Sequence, residues 1–125
     1  MTEKENLIYL AGFIDGEGCL TTSFDYPINR IRPRLTITNT NKEVLEWIHA
    51  VFGGSLYLHK PRGSQTRASY ELMFFCNKAM NLIEKVYPFL KVKKKEADVF
   101  LRFRETVKNR ELGKSLQDEL SSLKH

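Results

Sequence analysis

The sequence predicts an α+β fold in which one helix is followed by two hairpin-and-helix units, in the order αββαββα. Three observations lead to this prediction. The segment from residue 30 to 39 alternates apolar and polar residues, which is typical of a half-buried strand. Two later segments repeat apolar residues at helical spacing, and Gly53-Gly54 and Pro88 stand where those helices should stop. Turn-forming residues separate the predicted strands, so the ββα unit occurs twice, without clear sequence identity between the copies.

The first half of the chain is predicted to contain a helix, a hairpin and a second helix. The first helix covers about residues 5 to 16, a weak strand follows at 19–24, and residues 25–29 supply the turn. Thr40 to Glu43 has the pattern of a capping box, which predicts a helix with Thr40 as its N-cap. One face of the strand at 30–39 carries Ile31, Leu35 and Ile37. One face of the second helix carries Val44, Leu45, Ile48, Val51 and Phe52.

The second half repeats this order and then adds helices. We expect strands at 55–60 and 68–75, joined by a polar loop, and a helix that Asn77 caps and Pro88 stops. A further helix runs to about residue 108, and the last one covers about 112–124. The apolar face of the last helix carries Leu112, Leu116, Leu120 and Leu123. We therefore expect a single domain over residues 1–125, with its core within about residues 5–108.

The composition is that of a soluble globular protein, with 42% hydrophobic and 28% charged residues. No apolar run approaches the roughly 20 residues that span a bilayer, and the charged N-terminus lacks a signal-peptide pattern. An intracellular protein that is neither secreted nor in a membrane is therefore expected. Two cysteines make neither a metal cluster nor a disulfide framework. Without a P-loop or dinucleotide fingerprint, we expect no small-molecule substrate.

The formal net charge of +5 is weak evidence for a nucleic-acid partner, and the distribution of the charge is more informative. The arginines and lysines occur in clusters along the chain. These clusters contain Arg30, Arg32 and Arg34, then Arg62 and Arg67, then Lys91, Lys93, Lys94 and Lys95.

The most informative stretch is the nine residues from Leu10 to Gly18, LAGFIDGEG. It places Gly12 and Gly16 four residues apart and brings Asp15 and Glu17 to the C-terminal end of the first helix. A helical glycine costs about 1 kcal/mol relative to alanine, and a carboxylate at this end faces the negative pole of the helix dipole. Two unfavourable features side by side indicate function. The alternatives are a glycine-rich turn and a solvated surface glutamate.

These nine residues resemble the LAGLIDADG motif of the homing endonucleases. Phe13, Gly16 and Glu17 depart from the consensus letters in ways that this family tolerates. The resemblance implies the αββαββα homing-endonuclease core, with a saddle-shaped antiparallel sheet and additional C-terminal helices. It also implies a DNA endonuclease of intron homing, in a prokaryotic cytoplasm or an organelle. Such an enzyme makes a staggered double-strand break in a long, partly palindromic site.

The glycine spacing predicts a homodimer. Small residues at positions i and i+4 let two helix backbones approach closely, and this chain has only one copy of the motif. The partner helix must therefore come from a second chain, in a two-fold contact. The residues predicted at this interface are Leu10, Gly12, Phe13, Asp15 and Gly16.

The same symmetry brings two copies of Glu17 together, and like charges repel unless a cation lies between them. Mg²⁺ suits such a site because it keeps several waters and uses substrate phosphates as ligands. In the resembled family the carboxylate at the eighth motif position binds the metal. That carboxylate matches Glu17, with the main chain of Gly16 as a further ligand, and Mn²⁺ or Ca²⁺ can occupy the site. Asp15, at the sixth position, resembles the residue that secures the turn and the interface.

The resemblance also implies two supporting residues of the catalytic site beside Glu17. A polar residue at the end of the second strand orders water in relatives, and Asn39 occupies that position. It could equally belong to the cap of the next helix. A basic residue before the fourth helix reaches the site in relatives, and Lys93 is the best match.

A twisted four-stranded sheet can lie along a DNA major groove, with outward side chains at the base edges. Residues at alternate positions of each strand share one face, and those on the polar face are the candidate DNA contacts. Each arginine could read guanine or hold phosphate. The predicted DNA-binding residues are Thr21, Ser23, Asp25, Arg30, Arg32, Arg34, Thr36, Ser55, Tyr57, His59, Arg62, Arg67, Ser69 and Glu71.

Two other functions are compatible with the same scaffold. One is a maturase that binds its intron RNA without cutting, and the other is a DNA-binding regulator without catalysis. A retained Glu17 argues mildly against the maturase.

Overall fold

The computed structural model describes residues 1–25, 30–60, 68–104 and 110–124. Its elements follow the predicted order αββαββα, with two further helices after it. They are α1 (Glu3–Glu17), β1 (Gly18–Asp25), β2 (Arg30–Asn39), α2 (Lys42–Phe52), β3 (Ser55–His59), β4 (Ser69–Phe75), α3 (Cys76–Val86), α4 (Lys94–Leu101) and α5 (Arg110–Ser122). A short 3₁₀ turn, Tyr87–Phe89, joins α3 to the segment before α4 and contains Pro88.

The four strands form one antiparallel sheet in the order β1-β2-β4-β3. The two hairpins therefore meet at the β2–β4 pairing, which runs from Arg34 opposite Phe75 to Asn39 opposite Tyr70. Each hairpin is followed by a helix that returns the chain across the sheet. The predicted ββα repeat is thus present in the arrangement of the elements.

The core lies on one side of the sheet, which we call the inner face. Its strand residues pair with one another in register, as Leu20 with Leu35 and Ile37 with Leu72. The fully buried residues include Leu10, Ala11, Ile14, Leu20, Leu35, Ile37, Leu45, Ile48, Leu72, Ile83 and Phe100. The face predicted from the alternation of β2 is therefore confirmed, since Leu35 and Ile37 are buried and Ile31 packs against the core.

The first helix is apolar on two sides. Its inner side buries Leu10, Ala11 and Ile14, while Ile8 and Tyr9 on its other side are nearly half exposed. Thr2 begins the helix with a capping box, since its hydroxyl accepts from the Glu5 N–H and the Glu5 carboxylate accepts from the Thr2 N–H. A helix with an apolar exposed side has surface left for a partner.

Two predicted helix starts are wrong. The N-cap of α2 is Asn41, whose side chain accepts from the Val44 N–H at 3.1 Å, so the capping box at Thr40 does not form. Helix α3 begins at Cys76 rather than after Asn77, because Cys76 takes a positive φ of 52° that turns the chain directly out of β4. The C-cap is as predicted, with Gly53 at φ 89° after α2.

The last helix begins two residues before its predicted start. Leu116 and Leu120 are buried, and Gln117 donates to the Thr22 hydroxyl at 2.7 Å, so α5 packs against the inner face beside β1. Leu123, predicted on the same apolar face, lies beyond the helix end and is 39% exposed. Residues 105–109, within the predicted end of the preceding helix, lie outside the described ranges.

Truncation of the core tests this packing. Phe100 on α4 is fully buried and contacts the Phe103 ring edge-on, at 6.5 Å between centroids. We expect Phe100→Ala to lower the free energy of unfolding by about 3–5 kcal/mol, because it leaves a cavity. Chemical denaturation measures this loss. Val92→Ala, at a side chain 75% exposed, is the control and should stay within about 0.5 kcal/mol of wild type.

Candidate functional site

The exposed side of α1 forms a shallow groove that ends at a carboxylate. Its lining residues, which we call the α1 face, are Ile8, Tyr9, Gly12, Phe13, Gly16 and Glu17. A Cβ built on Gly12 or Gly16 meets no atom within 4 Å, so neither glycine is required by packing inside this chain. The Tyr9 and Phe13 rings stack beside them, 6.3 Å apart between centroids. The two helix glycines therefore leave space open to the outside.

One residue of the predicted interface set, Leu10, is wrong. Leu10 is fully buried in the core of its own chain, because its position on the helix turns it to the inner side. Asp15 is half-buried and bonds to its own chain. Ile8 and Tyr9, which the sequence analysis did not name, lie four residues before Gly12 and Phe13 and so share the exposed side of α1 with them.

Gly18 differs from the two glycines of the α1 face. A Cβ at Gly18 would lie 2.8 Å from the Ile14 carbonyl oxygen and 3.0 Å from its Cα. The chain passes this close because it leaves the helix and enters β1 without a linker. This abrupt exit leaves Glu17 exposed at the end of α1.

Asp15 holds the segment before α4 against the end of α1. Its two carboxylate oxygens accept from the backbone N–H groups of Lys91 and Lys93, at 2.8 and 3.0 Å. The Lys93 ammonium donates to the Asp15 carbonyl oxygen at 2.8 Å. These three bonds join residues more than 70 positions apart in the sequence. They hold Lys93 against the last turn of α1, which also carries Glu17.

Asn39 lies near the same end of α1. Gly18 pairs with Ile37, so Asn39 ends β2 two residues beyond the first pair of the β1–β2 ladder. Its side-chain oxygen accepts from the Asn41 N–H at 2.8 Å, which is the contact expected of the helix-cap alternative. Its position at the strand end is also the one that the catalytic alternative requires.

The side of the sheet away from the core, the outer face, carries the predicted DNA-facing positions. Cross-strand pairs join Thr21 to Arg34, Ser23 to Arg32 and Tyr57 to Glu71, so the register keeps all of them on one side. The described members are Thr21, Ser23, Arg32, Arg34, Thr36, Ser55, Tyr57, His59, Ser69 and Glu71. Arg62 and Arg67 lie outside the described residues, as do the side chains of Asp25 and Arg30, which pair at the end of the β1–β2 ladder.

Several outer-face side chains are held by neighbours. The guanidinium of Arg32 lies over the Phe75 ring at 5.1 Å, and its Nε donates to the Cys76 sulfur at 3.2 Å. His59 Nε2 lies 3.1 Å from a carboxylate oxygen of Glu71. Thr36 is only 9% exposed, so this predicted residue does not reach the surface. It lies mid-sheet between Cys19 and Met73, which flank it on both sides.

A metal site within one chain is not formed by the described residues, which contain no group of three His, Cys, Asp or Glu side chains at ligand distance. Glu17 offers a single exposed carboxylate. One or two carboxylates with water and phosphate oxygens are a normal Mg²⁺ ligand set. Glu17 of one chain can supply one of these carboxylates. Across the described ranges, no helix is long and apolar enough to cross a bilayer.

The family model for the LAGLIDADG endonucleases matches residues 10–107, which is most of the chain. The chain therefore belongs to the LAGLIDADG endonuclease family, and the resemblance drawn from the motif is confirmed. A comparison with curated proteins gave no match.

Solved structures share the fold. The homing endonuclease I-CvuI, in complex with its target in the presence of Ca, aligns over 96% of this chain and 82% of its own, with 22% identity and a TM-score of 0.77. The archaeal intron-encoded homing endonuclease I-Vdi141I, complexed with DNA, aligns over 98% and 86%, with 26% identity and a TM-score of 0.76. The LAGLIDADG meganuclease I-AabMI, bound to uncleaved DNA, aligns over 95% of this chain and 43% of its own, with 27% identity and a TM-score of 0.62.

The contacts of Asp15 generate a test of the site's framework. Asp15→Asn replaces one acceptor oxygen by an NH₂ group that faces a backbone N–H donor. We expect a loss of about 1–3 kcal/mol in unfolding free energy and faster amide hydrogen exchange at Lys91 and Lys93. Glu46→Gln, which breaks an exposed ion pair with Lys42 on α2, is the matched control. Unchanged exchange at Lys91 and Lys93 in Asp15→Asn would show that Asp15 does not hold this segment.

Proposed function

We propose that this chain is a homodimeric homing endonuclease that makes a staggered double-strand break in a long, partly palindromic DNA site, by divalent-metal-dependent hydrolysis. One observation carries the proposal: the open glycine groove of α1 leads to an exposed carboxylate, Glu17, at the helix end. We infer that the enzyme acts in a prokaryotic cytoplasm or an organelle, as the resemblance implies.

A second copy of the same chain is the occupant that fits the α1 face. Gly12 and Gly16 let a second helix backbone come close, and Ile8, Tyr9 and Phe13 provide apolar surface beside them. Each chain contributes one such face, so two copies related by a two-fold axis cover both. The axis passes beside the helix ends and brings the two Glu17 carboxylates together.

Glu17, with the main-chain oxygen of Gly16, would hold Mg²⁺ or another divalent cation such as Mn²⁺ or Ca²⁺, since two carboxylates at close range need a cation between them. A bound metal ion supplies a polarised water and stabilises charge on the leaving oxygen. Each protomer brings one Glu17, so each active site serves one strand of the duplex.

Lys93 and Asn39 support this chemistry from the protein side. Asp15 fixes the Lys93 backbone, and the Lys93 ammonium is already bonded at the end of α1. A fixed ammonium in a half-buried position stabilises negative charge that develops on a nearby phosphate. Asn39, at the end of β2, presents an amide that can orient water, while its oxygen serves the α2 cap. Asp15 acts as the positioning residue for Lys93.

The outer face would bind the duplex in its major groove. Polar and basic side chains at alternating strand positions match the spacing at which a β-ribbon presents groups to base edges. Arg32 and Arg34 lie on neighbouring positions of this face along β2. Contacts with phosphates make such binding sensitive to salt.

Glu17→Gln separates cleavage from binding. We expect the variant to bind selected DNA with wild-type affinity and to lose at least about a hundredfold in Mg²⁺-dependent cleavage rate, because a neutral amide is a poor ligand for a divalent cation. A randomised duplex library incubated with Mg²⁺ supplies the sites, and sequencing of the products measures cutting.

Glu46→Gln is the control for this experiment and should cut as wild type does. Wild-type protein that binds duplexes but leaves all of them intact would identify a DNA-binding regulator. A preference for intron RNA over duplex DNA would identify a maturase.

Gly12→Ala tests the dimer by two effects of opposite sign. Inside one chain the new methyl group has free space, and alanine favours the helix by about 1 kcal/mol. Between two α1 helices the methyl groups hold the backbones apart, so we expect dimer dissociation to become at least about tenfold easier. Sedimentation equilibrium measures the dissociation constant. A dimer as tight as wild type would place the interface elsewhere.

A further inference from the structure

Glu71 is an acidic side chain in the middle of a surface proposed to face polyanionic DNA. It lies on the central strand β4, opposite Thr38 on one side and Tyr57 on the other. Its side chain is 20% exposed, so the carboxylate is partly enclosed by these neighbours and cannot swing freely into solvent. Among outer-face positions with described side chains, Glu71 is the only acidic one.

His59 fixes the orientation of this carboxylate. Its Nε2 lies 3.1 Å from Glu71 Oε1, diagonally across the β3–β4 ladder. A carboxylate can only accept hydrogen bonds, so Nε2 must carry the hydrogen and donate it. One oxygen of Glu71 is therefore engaged, and Oε2 has no hydrogen-bond partner among the described residues. The pair presents one directed acceptor on the outer face.

The hydrogen-bonding groups in the DNA major groove decide what this carboxylate oxygen can bind. Phosphate oxygens are acceptors with negative charge, so they repel a carboxylate and offer it no hydrogen. The donors at base edges in the major groove are the amino groups of cytosine and adenine. Adenine carries the acceptor N7 beside its amino group and so repels one carboxylate oxygen, whereas cytosine presents its amino donor without that neighbour.

We propose that Glu71, held by His59, is a specificity-determining residue that reads a cytosine at one position of each DNA half-site. This inference rests on the proposed function, because it takes the outer face as the DNA-binding surface. Glu71 makes the contact with the base, and His59 acts as its positioning residue.

The experiment compares the base preferences of this chain and three variants of it. Wild type, Glu71→Gln, His59→Gln and the control Glu46→Gln are each incubated with a randomised duplex library and Ca²⁺, and the bound duplexes are sequenced. The same proteins are then tested for cleavage of the wild-type consensus with Mg²⁺. Thermal unfolding checks that each variant is folded.

We expect wild type and Glu46→Gln to select cytosine at one pair of symmetry-related positions. Glu71→Gln should lose that preference by roughly tenfold and shift it toward adenine, because a glutamine amide can bond adenine N6 and N7 together. His59→Gln should relax the preference at the same positions without moving it to another base. All other positions of the site should remain as in wild type.

Three results overturn the inference in distinguishable ways. If wild type selects a site and Glu71→Gln leaves every position unchanged, Glu71 serves only to join β3 to β4. If His59→Gln changes a different position, His59 reads a base itself and does not position Glu71. If wild type neither selects nor cuts any duplex, the proposed function fails as well.

Discussion

The burial of the inner side of α1 is the constraint on which the rest of the site depends. Leu10, Ala11 and Ile14 are fully enclosed, so the rotation of the helix about its axis is fixed by the core. That rotation decides that Gly12 and Gly16 point away from the chain and that Glu17 is exposed where the helix ends. The other side of the helix leaves the apolar side chains of Ile8 and Tyr9 exposed in one chain, and the proposed function assigns this side to a second copy.

Asp15 connects this helix to the segment before α4. With a carboxylate whose two oxygens both accept backbone hydrogens, it ties the segment at 91–93 to the last turn of α1. The Lys93 ammonium completes the connection by bonding back to the Asp15 carbonyl. In the proposed enzyme, the motif would therefore supply the dimer interface, the hydrogen bonds that hold residues 91–93 and the metal-binding carboxylate within a few residues. A cation bound there, as proposed, would also reduce the unfavourable interaction between Glu17 and the helix dipole.

Patterns in the sequence predicted those parts of the fold that depend on neighbouring residues along the chain. The alternation in β2 gave both its ends and its buried face, because a strand with one side in the core must keep period two. The start of α3 could not be predicted this way, since it depends on a positive φ at Cys76, a residue type without that preference. The bonds of Asp15 to residues 91 and 93 depend on tertiary contact, and no spacing reveals them. Leu10 was wrongly predicted at the interface because the motif does not show which side of the helix each of its residues faces.

The alternation of β2 has a consequence for how such a protein can change. Odd positions such as Leu35 and Ile37 hold the core together, while even positions such as Arg32 and Arg34 contribute to a surface outside it. A substitution at an even position other than the buried Thr36 alters the surface chemistry and leaves the core packing nearly intact. Substitutions at the two sets therefore have different effects: those at the buried odd positions lower stability, and those at the remaining even positions change the surface. A lineage with this sheet can explore new ligands by single steps without first losing its fold.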